Sequence, residues 1–283
     1  MTPDASVLGC RKACAEEPPR ADAGRPGYSP RTVLAGLARE GDTSVPIHEF
    51  RSLLLLPANA SAAVERARDS GTDAVILDLE DSVAPVRKPA ARRQVGAAAQ
   101  ALAAAGVPVV LRVNASPADW RADLAGVDLA DIRAVMLSKT ESPEQVIALA
   151  DYLDDRHPDV SIAALIESPL GVVRASEISR SSPRLCALGF GAADYARAMA
   201  IIASPQNVGS AARYVAGAAR SAGLASWGLA DDLANLTEDI ERFAGAVRQA
   251  RQMGFTACMV IHSEQVAVLN RVFAPLVVPG AAR

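Results

Sequence analysis

The feature that most constrains this chain is a regular alternation between residues 52 and 261, in which short apolar runs are separated by longer stretches with helical spacing. The apolar runs lie at 52–57, 74–79, 107–113, 134–137, 161–166, 185–190, 224–227 and 258–261. Helical spacing is clearest at 60–70, 89–105, 143–155, 194–202 and 237–253. Strands that alternate with helices pair in parallel through right-handed crossovers. Eight such strands closing on themselves make an α/β fold, the (β/α)8 TIM barrel, which takes about 250 residues. A chain of 283 residues supplies that as one large domain. The seventh run, near 224–227, is short and weakly marked. The rival is an open doubly wound sheet, in which Gly189-Phe190-Gly191 would start a dinucleotide fingerprint. The third glycine of that fingerprint is missing, so the barrel is the better reading.

Residues 16–30 mix Pro, Gly, Arg, Glu and Asp without apolar periodicity. This predicts a flexible N-terminal extension over 1–49 and a barrel domain over 50–283. Ser29 and Pro30 suit the cap and first turn of a short helix reaching residue 40. Cys10, Cys14, Cys186 and Cys258 are too few and too scattered for a disulfide framework. The formal net charge of −3 gives no reason to expect nucleic acid or a membrane surface as partner. No apolar run approaches the roughly 20 residues that cross a bilayer, and the N-terminus lacks the succession of a secretory signal. The expected location is the cytoplasm.

Strands of a parallel barrel are buried on both faces and nearly all apolar, so charged residues at their C-terminal ends mark the chemistry. Asp78 and Glu80 follow the second run two residues apart and point to the same side if the strand persists. Two carboxylates on one face repel unless a basic group sits between them. Arg112, ending the third run, can be that group, either in a functional site or in a structural ion pair. Glu167 ends the fifth run and Asp194 follows the sixth. Carboxylates from adjacent strand ends can converge on one Mg2+, which often takes one or two protein carboxylates and leaves positions for water and substrate. Alternatively, Asp194 caps a helix and Glu167 partners a helix dipole. Taken alone, the capping reading is the simpler.

Arg51-Ser52-Leu53-Leu54-Leu55-Leu56-Pro57 resembles the opening strand of the citrate lyase beta-subunit-like proteins of the HpcH/HpaI aldolase superfamily. Ile76-Leu77-Asp78-Leu79-Glu80-Asp81-Ser82-Val83, with Lys88 and Ala91-Arg92, resembles that family's most distinctive segment. Arg112-Val113-Asn114, Lys139 with Glu141-Ser142-Pro143, Glu167-Ser168, the turn from Gly191 to Asp194 and Ile261-His262 follow in the family's order. The resemblance runs from residue 51 to about residue 275.

The resemblance implies a (β/α)8 barrel that assembles as a homotrimer or homohexamer. It also implies a Mg2+-dependent carbon–carbon lyase that cleaves or forms a 3-hydroxyacyl-CoA-type thioester, such as malyl-, citramalyl- or citryl-CoA, or a carrier-bound thioester, with a 2-oxo acid as the other product. Glu167 and Asp194 would hold the metal. Arg112 would bind the substrate carboxylate or carbonyl oxygen, with Asp78 and Glu80 completing the catalytic set by orienting it. Arg51 would lie near the mouth as a second substrate-binding cation, and Lys139 would form a buried ion pair.

The chain departs from the family pattern at Ala58-Asn59, where Pro57 is usually followed by Gly, and at Ser263, where His262 is usually followed by Pro. The longer acidic C-terminal lid of some members is absent from the pattern, which leaves the general base open between Asp231, Asp232 and neither. Two alternatives therefore stand beside the thioester lyase: an aldolase of free hydroxy-oxo acids and a non-catalytic barrel subunit.

Overall fold

The computed structural model describes residues 46–154 and 156–275. The short helix expected before residue 40, Cys10, Cys14 and most of the expected extension lie outside the described residues.

The elements run β1 (Ser52–Pro57), α1 (Ser61–Arg68), β2 (Ala74–Asp78), α2 (Lys88–Ala104), β3 (Val109–Val113), α3 (Pro117–Leu124), β4 (Ala134–Leu137), α4 (Pro143–Asp154) and β5 (Ser161–Ile166). They continue as α5 (Pro169–Ile178), β6 (Leu185–Phe190), α6 (Ala192–Ala198), α7 (Pro205–Ser221), β7 (Ala225–Gly228), α8 (Ile240–Met253), β8 (Cys258–Val260) and α9 (Val266–Val272). Neighbouring strands pair in parallel in the order β7-β6-β5-β4-β3-β2-β1-β8.

The seam between β7 and β8 is held by a parallel bridge of Trp227 with Ala257. Across it, Gly228 N–H donates to Ala257 O at 2.9 Å and Thr256 N–H to Ser226 O at 2.7 Å. An open sheet leaves two unpaired edges, so these bonds decide for the (β/α)8 barrel.

Alternate strand residues face opposite sides. One set, including Leu53, Ile76, Val110, Met136, Leu165 and Trp227, fills the barrel interior. The other set, including Leu54, Leu77, Leu111, Val135, Ile162 and Leu188, packs under the helices. Ala74, Ala134, Ala163, Ala187, Ala225 and Ala257 share the interior with Trp227, and their small size leaves room for one indole. Phe50 stacks on Trp227 at 6.3 Å between ring centroids and closes the N-terminal floor. Ile47, in the 3-10 turn Ile47–Glu49, joins it there, so the last residues of the expected extension belong to the barrel floor.

Two helical expectations shift. The stretch 194–202 is helical only as far as Ala198, the end of α6; it then turns where Ala200 adopts φ 55°, and α7 starts at Pro205. The stretch 237–253 begins helical structure only at Ile240, because Asp239 takes the cap and accepts the N–H groups of Glu241 and Arg242, each at 3.0 Å. Among the described residues, no helix is long and apolar enough to cross a membrane.

Candidate active site

The interior-facing rows carry the site residues. In β2 the row Ala74, Ile76 continues to Asp78; in β3 Val110 is followed by Arg112; in β5 Ala163, Leu165 lead to Glu167. Each charge thus stands where its row leaves the apolar interior at the C-terminal mouth.

Parallel register sets Asp78 beside Arg112. Arg112 Nε donates to Asp78 Oδ1 and Nη2 to Asp78 Oδ2, both at 2.7 Å. Its remaining nitrogen, Nη1, lies 3.4 Å from Glu80 Oε2. Asp78 also accepts the N–H groups of Glu80 at 2.8 Å and Ser82 at 3.0 Å, and the Ser82 hydroxyl. Burial pushes the Asp78 carboxyl up, but Arg112 and these donors outweigh it and hold the group below the usual carboxylate range. Burial alone would lower Arg112; its carboxylate neighbours raise it instead, so the guanidinium stays charged.

Lys139 donates to Glu80 and, at 3.2 Å, to Asp81. The expected buried ion pair is only half right: Glu80 is buried, whereas the Lys139 side chain is 42% exposed. Lys139 has φ 46°, a left-handed conformation that costs a side chain strain. In it, the Lys139 N–H donates to Glu167 Oε1 at 2.7 Å.

Glu167 is 4% exposed. Its other oxygen lies against Gly191, where an added Cβ would stand 2.7 Å from Oε2 and 2.8 Å from the Glu167 Cβ. Gly191 is also the N-cap position of α6, with Asp194 in the first turn. Asp194 is therefore not the helix cap; its carboxylate pairs with Arg197. Likewise α5 is capped by Ser168, whose hydroxyl accepts Gly171 N–H at 3.1 Å.

Arg112, Glu167 and Asp194 line one cavity of about 160 Å3, floored by Leu55, Leu165 and Met259 and bordered by Asp231. Glu167 and Asp194 also border an adjoining opening of about 530 Å3 with Ser116, Lys139, Ser168 and Arg197. Burial pushes Glu167 up to about 8; the Lys139 N–H and Arg112 act against the rise, and the charges of Glu80 and Asp194 add to it.

One sequence expectation needs correction. Arg51 is at the N-terminal end of β1, across the barrel from the mouth. Its backbone N–H and Nε donate to Asp73 Oδ2 at 2.8 Å, and its Nη2 to Oδ1 at 2.7 Å, so it clasps the floor, away from the residues that line the mouth cavity. Asp78 and Glu80 pair with Arg112 from outside the cavity lining, in the orienting place that the resemblance implies.

Sequence reasoning missed the part played by Asp123. Fully buried, it accepts Arg92 Nε at 2.9 Å, Asn114 N–H at 2.9 Å and Asn114 Nδ2 at 2.6 Å. Asn114 in turn accepts from Lys88. The signal was the spacing of Lys88 and Arg92, one turn apart on a single helix face.

The profile of the HpcH/HpaI aldolase/citrate lyase family matches residues 51–263. The chain belongs to that family. It is 32% identical over 231 residues to the (3S)-malyl-CoA thioesterase of Cereibacter sphaeroides (strain KD131 / KCTC 12085), covering 81% of this chain and 78% of the relative. It is 32% identical over 238 residues to the citrate lyase subunit beta of Escherichia coli (strain K12), covering 80% and 77%. Among solved structures, the protein CitE from Mycobacterium tuberculosis in complex with magnesium, acetoacetate and coenzyme A superposes with a TM-score of 0.64 at 29% identity, covering 80% of this chain and 81% of that one.

Magnesium in this structural neighbour raises the question of whether the family member described here has donors for it. Among the described residues, no group of three or more His, Cys, Asp or Glu gathers to hold a metal. The pair Glu167 and Asp194 nevertheless fits a hard divalent cation, because two carboxylates offer oxygen ligands and leave positions for water and substrate. Burial first, and then the charges of Glu80 and Asp194, raise the Glu167 carboxyl, and a bound cation would favour its charged form.

Proposed function

We propose that this family member is a Mg2+-dependent carbon–carbon lyase acting on a 3-hydroxyacyl-CoA-type thioester. The observation that supports it best is the convergence of Glu167, Asp194 and Arg112 on one cavity at the mouth of the barrel. Glu167 and Asp194 would hold the cation, which supplies Lewis-acid stabilisation of charge on a substrate oxygen. Arg112 offers Nη1 to a carboxylate or carbonyl oxygen, since Asp78 occupies the Nε and Nη2 edge. Pinned this way, the guanidinium is oriented before substrate arrives and need not reorganise as charge develops during cleavage. Leu55, Leu165 and Met259 form an apolar floor that limits water around the departing enolate.

The test is turnover of malyl-, citramalyl- and citryl-CoA with Mg2+ and with chelator. Release of a 2-oxo acid together with the shortened acyl-CoA supports the lyase. The likeness to a malyl-CoA thioesterase favours hydrolysis as a second reading, and it gives free coenzyme A and an intact hydroxy diacid instead. We further propose a homotrimer or homohexamer. Its support is an exposed apolar set, with Val173 on α5 74% exposed and Ile202 before α7 76% exposed. Light scattering of the purified chain tests it.

A further inference from the structure

The cavity holds one more buried carboxylate that neither pins Arg112 nor belongs to the proposed cation pair. Asp231 follows β7 at the barrel mouth, lines the same cavity as Arg112, Glu167 and Asp194, and is 9% exposed. Its Oδ1 accepts the Asp232 N–H at 2.8 Å. Its Oδ2 faces Arg242 Nη2 of α8 at 4.0 Å, beyond hydrogen-bonding reach, and that arginine is more than half exposed.

Asp232, beside it in sequence, is differently engaged. Asp232 Oδ1 accepts Ala234 N–H at 3.0 Å and opens the 3-10 turn Leu233–Leu236. Both border the cavity, but Asp232 is the less buried of the two and its Oδ1 is spent on a turn, whereas Asp231 Oδ2 has only the distant Arg242 beside it. Burial raises the Asp231 carboxyl above its ordinary range, with the Asp232 N–H and Arg242 opposing and the Asp232 charge adding. That direction makes a carboxylate a better proton acceptor. None of the residues lining the cavity is His or Lys, so the other usual general bases are not in competition there.

We propose that Asp231 is the general base that takes the α-proton of the acyl thioester and, once protonated, returns it to that carbon. The proposal rests on the thioester-enolate reading above. In the forward half-reaction an O–H bond forms on Asp231 as the C–H bond breaks. The C–H electron pair becomes the enolate double bond, and the carbonyl π pair moves onto oxygen, where Arg112 offsets its charge. In reverse, the enolate carbon takes the proton from the Asp231 carboxylic acid and the carboxylate is restored. Between the two steps the Asp231 carboxylic acid exchanges its proton with solvent, so in D2O the carbon loses a proton and regains a deuteron, with no other reactant consumed.

The test uses the full chain with Mg2+ and acetyl-CoA in D2O, and follows deuterium entry at the α-carbon by mass spectrometry. The wild type exchanges the proton. Asp231→Asn lowers exchange and lyase kcat by about 10²–10⁴-fold, with KM for the thioester and the Mg2+-induced rise in Tm little changed. Asp231→Glu recovers part of the loss, and Asp232→Asn, which keeps a capping side chain, loses far less. Exchange in Asp231→Asn within about tenfold of the wild type overturns the proposal. So does a loss accompanied by loss of the Mg2+ response or of the fold in both Asp231 variants. Absence of Mg2+-dependent exchange in the wild type itself overturns the enolate reading, and this inference falls with it.

Discussion

At the scale of single residues, Gly191 connects backbone geometry to the proposed chemistry. A Cβ there would sit 2.7 Å from Glu167 Oε2, so Gly191→Ala must displace either the carboxylate or the start of α6. Displacing a ligand's support typically weakens metal affinity by about 10–100-fold, and that loss is expected in a calorimetric Mg2+ titration of Gly191→Ala, with the circular dichroism spectrum retained. Unchanged affinity would remove Glu167 from the cation site.

Asp78 gives a pH-dependent expectation. Breaking a buried ion pair costs about 3–5 kcal/mol, and Asp78→Asn, which keeps one acceptor for Arg112, should lose about 3 kcal/mol at neutral pH. The Asp78 carboxyl is held below its ordinary value in the fold, so its contribution is present above the unfolded value of about 4 and is lost as pH falls through the folded value. Urea denaturation of both proteins should therefore show a constant gap from neutral pH down to about 4, narrowing below it. A gap that widens on acidification would contradict the assignment.

At the scale of elements, the strands were the most legible part of the sequence, because buried parallel strands are near-continuous apolar runs. The same rule exposed Asp78, Arg112 and Glu167 as interruptions at strand ends. Arg51 was placed near the mouth by the resemblance and not by this rule; it precedes its strand and clasps Asp73 at the floor. Helix α7 escaped notice because its buried face is largely Ala211, Ala212, Ala216 and Ala219, which give little contrast against the exposed face. The expected helix starts at 60, 89 and 143 fall within one residue of those observed, whereas α8 starts three residues later than its spacing suggests because Asp239 is its cap. Asp239 satisfies two otherwise unpaired N–H groups there, so Asp239→Ala should cost about 1 kcal/mol and Asp239→Asn almost nothing, measured by thermal or urea unfolding. Equal losses for the two would assign Asp239 a role other than capping.

At the scale of the whole molecule, the barrel brings residues distant in sequence to one mouth: Arg112 from β3, Glu167 after β5, Asp194 in α6 and Asp231 after β7. The resemblance already implied that Asp78 and Glu80 orient Arg112, but Asp231 and Asp232 could not be told apart in the sequence; that needed the distances that separate them. Glu167 and Asp194 are proposed to hold a cation required for thioester cleavage. The most direct measurement is Mg2+ titration of malyl-, citramalyl- and citryl-CoA cleavage by the wild type and by Glu167→Gln at one pH. Saturable activation of the wild type is expected with at least one substrate, and a loss of about 10²-fold or more in Glu167→Gln. Cleavage that survives chelation, or that is the same in both proteins, would contradict it.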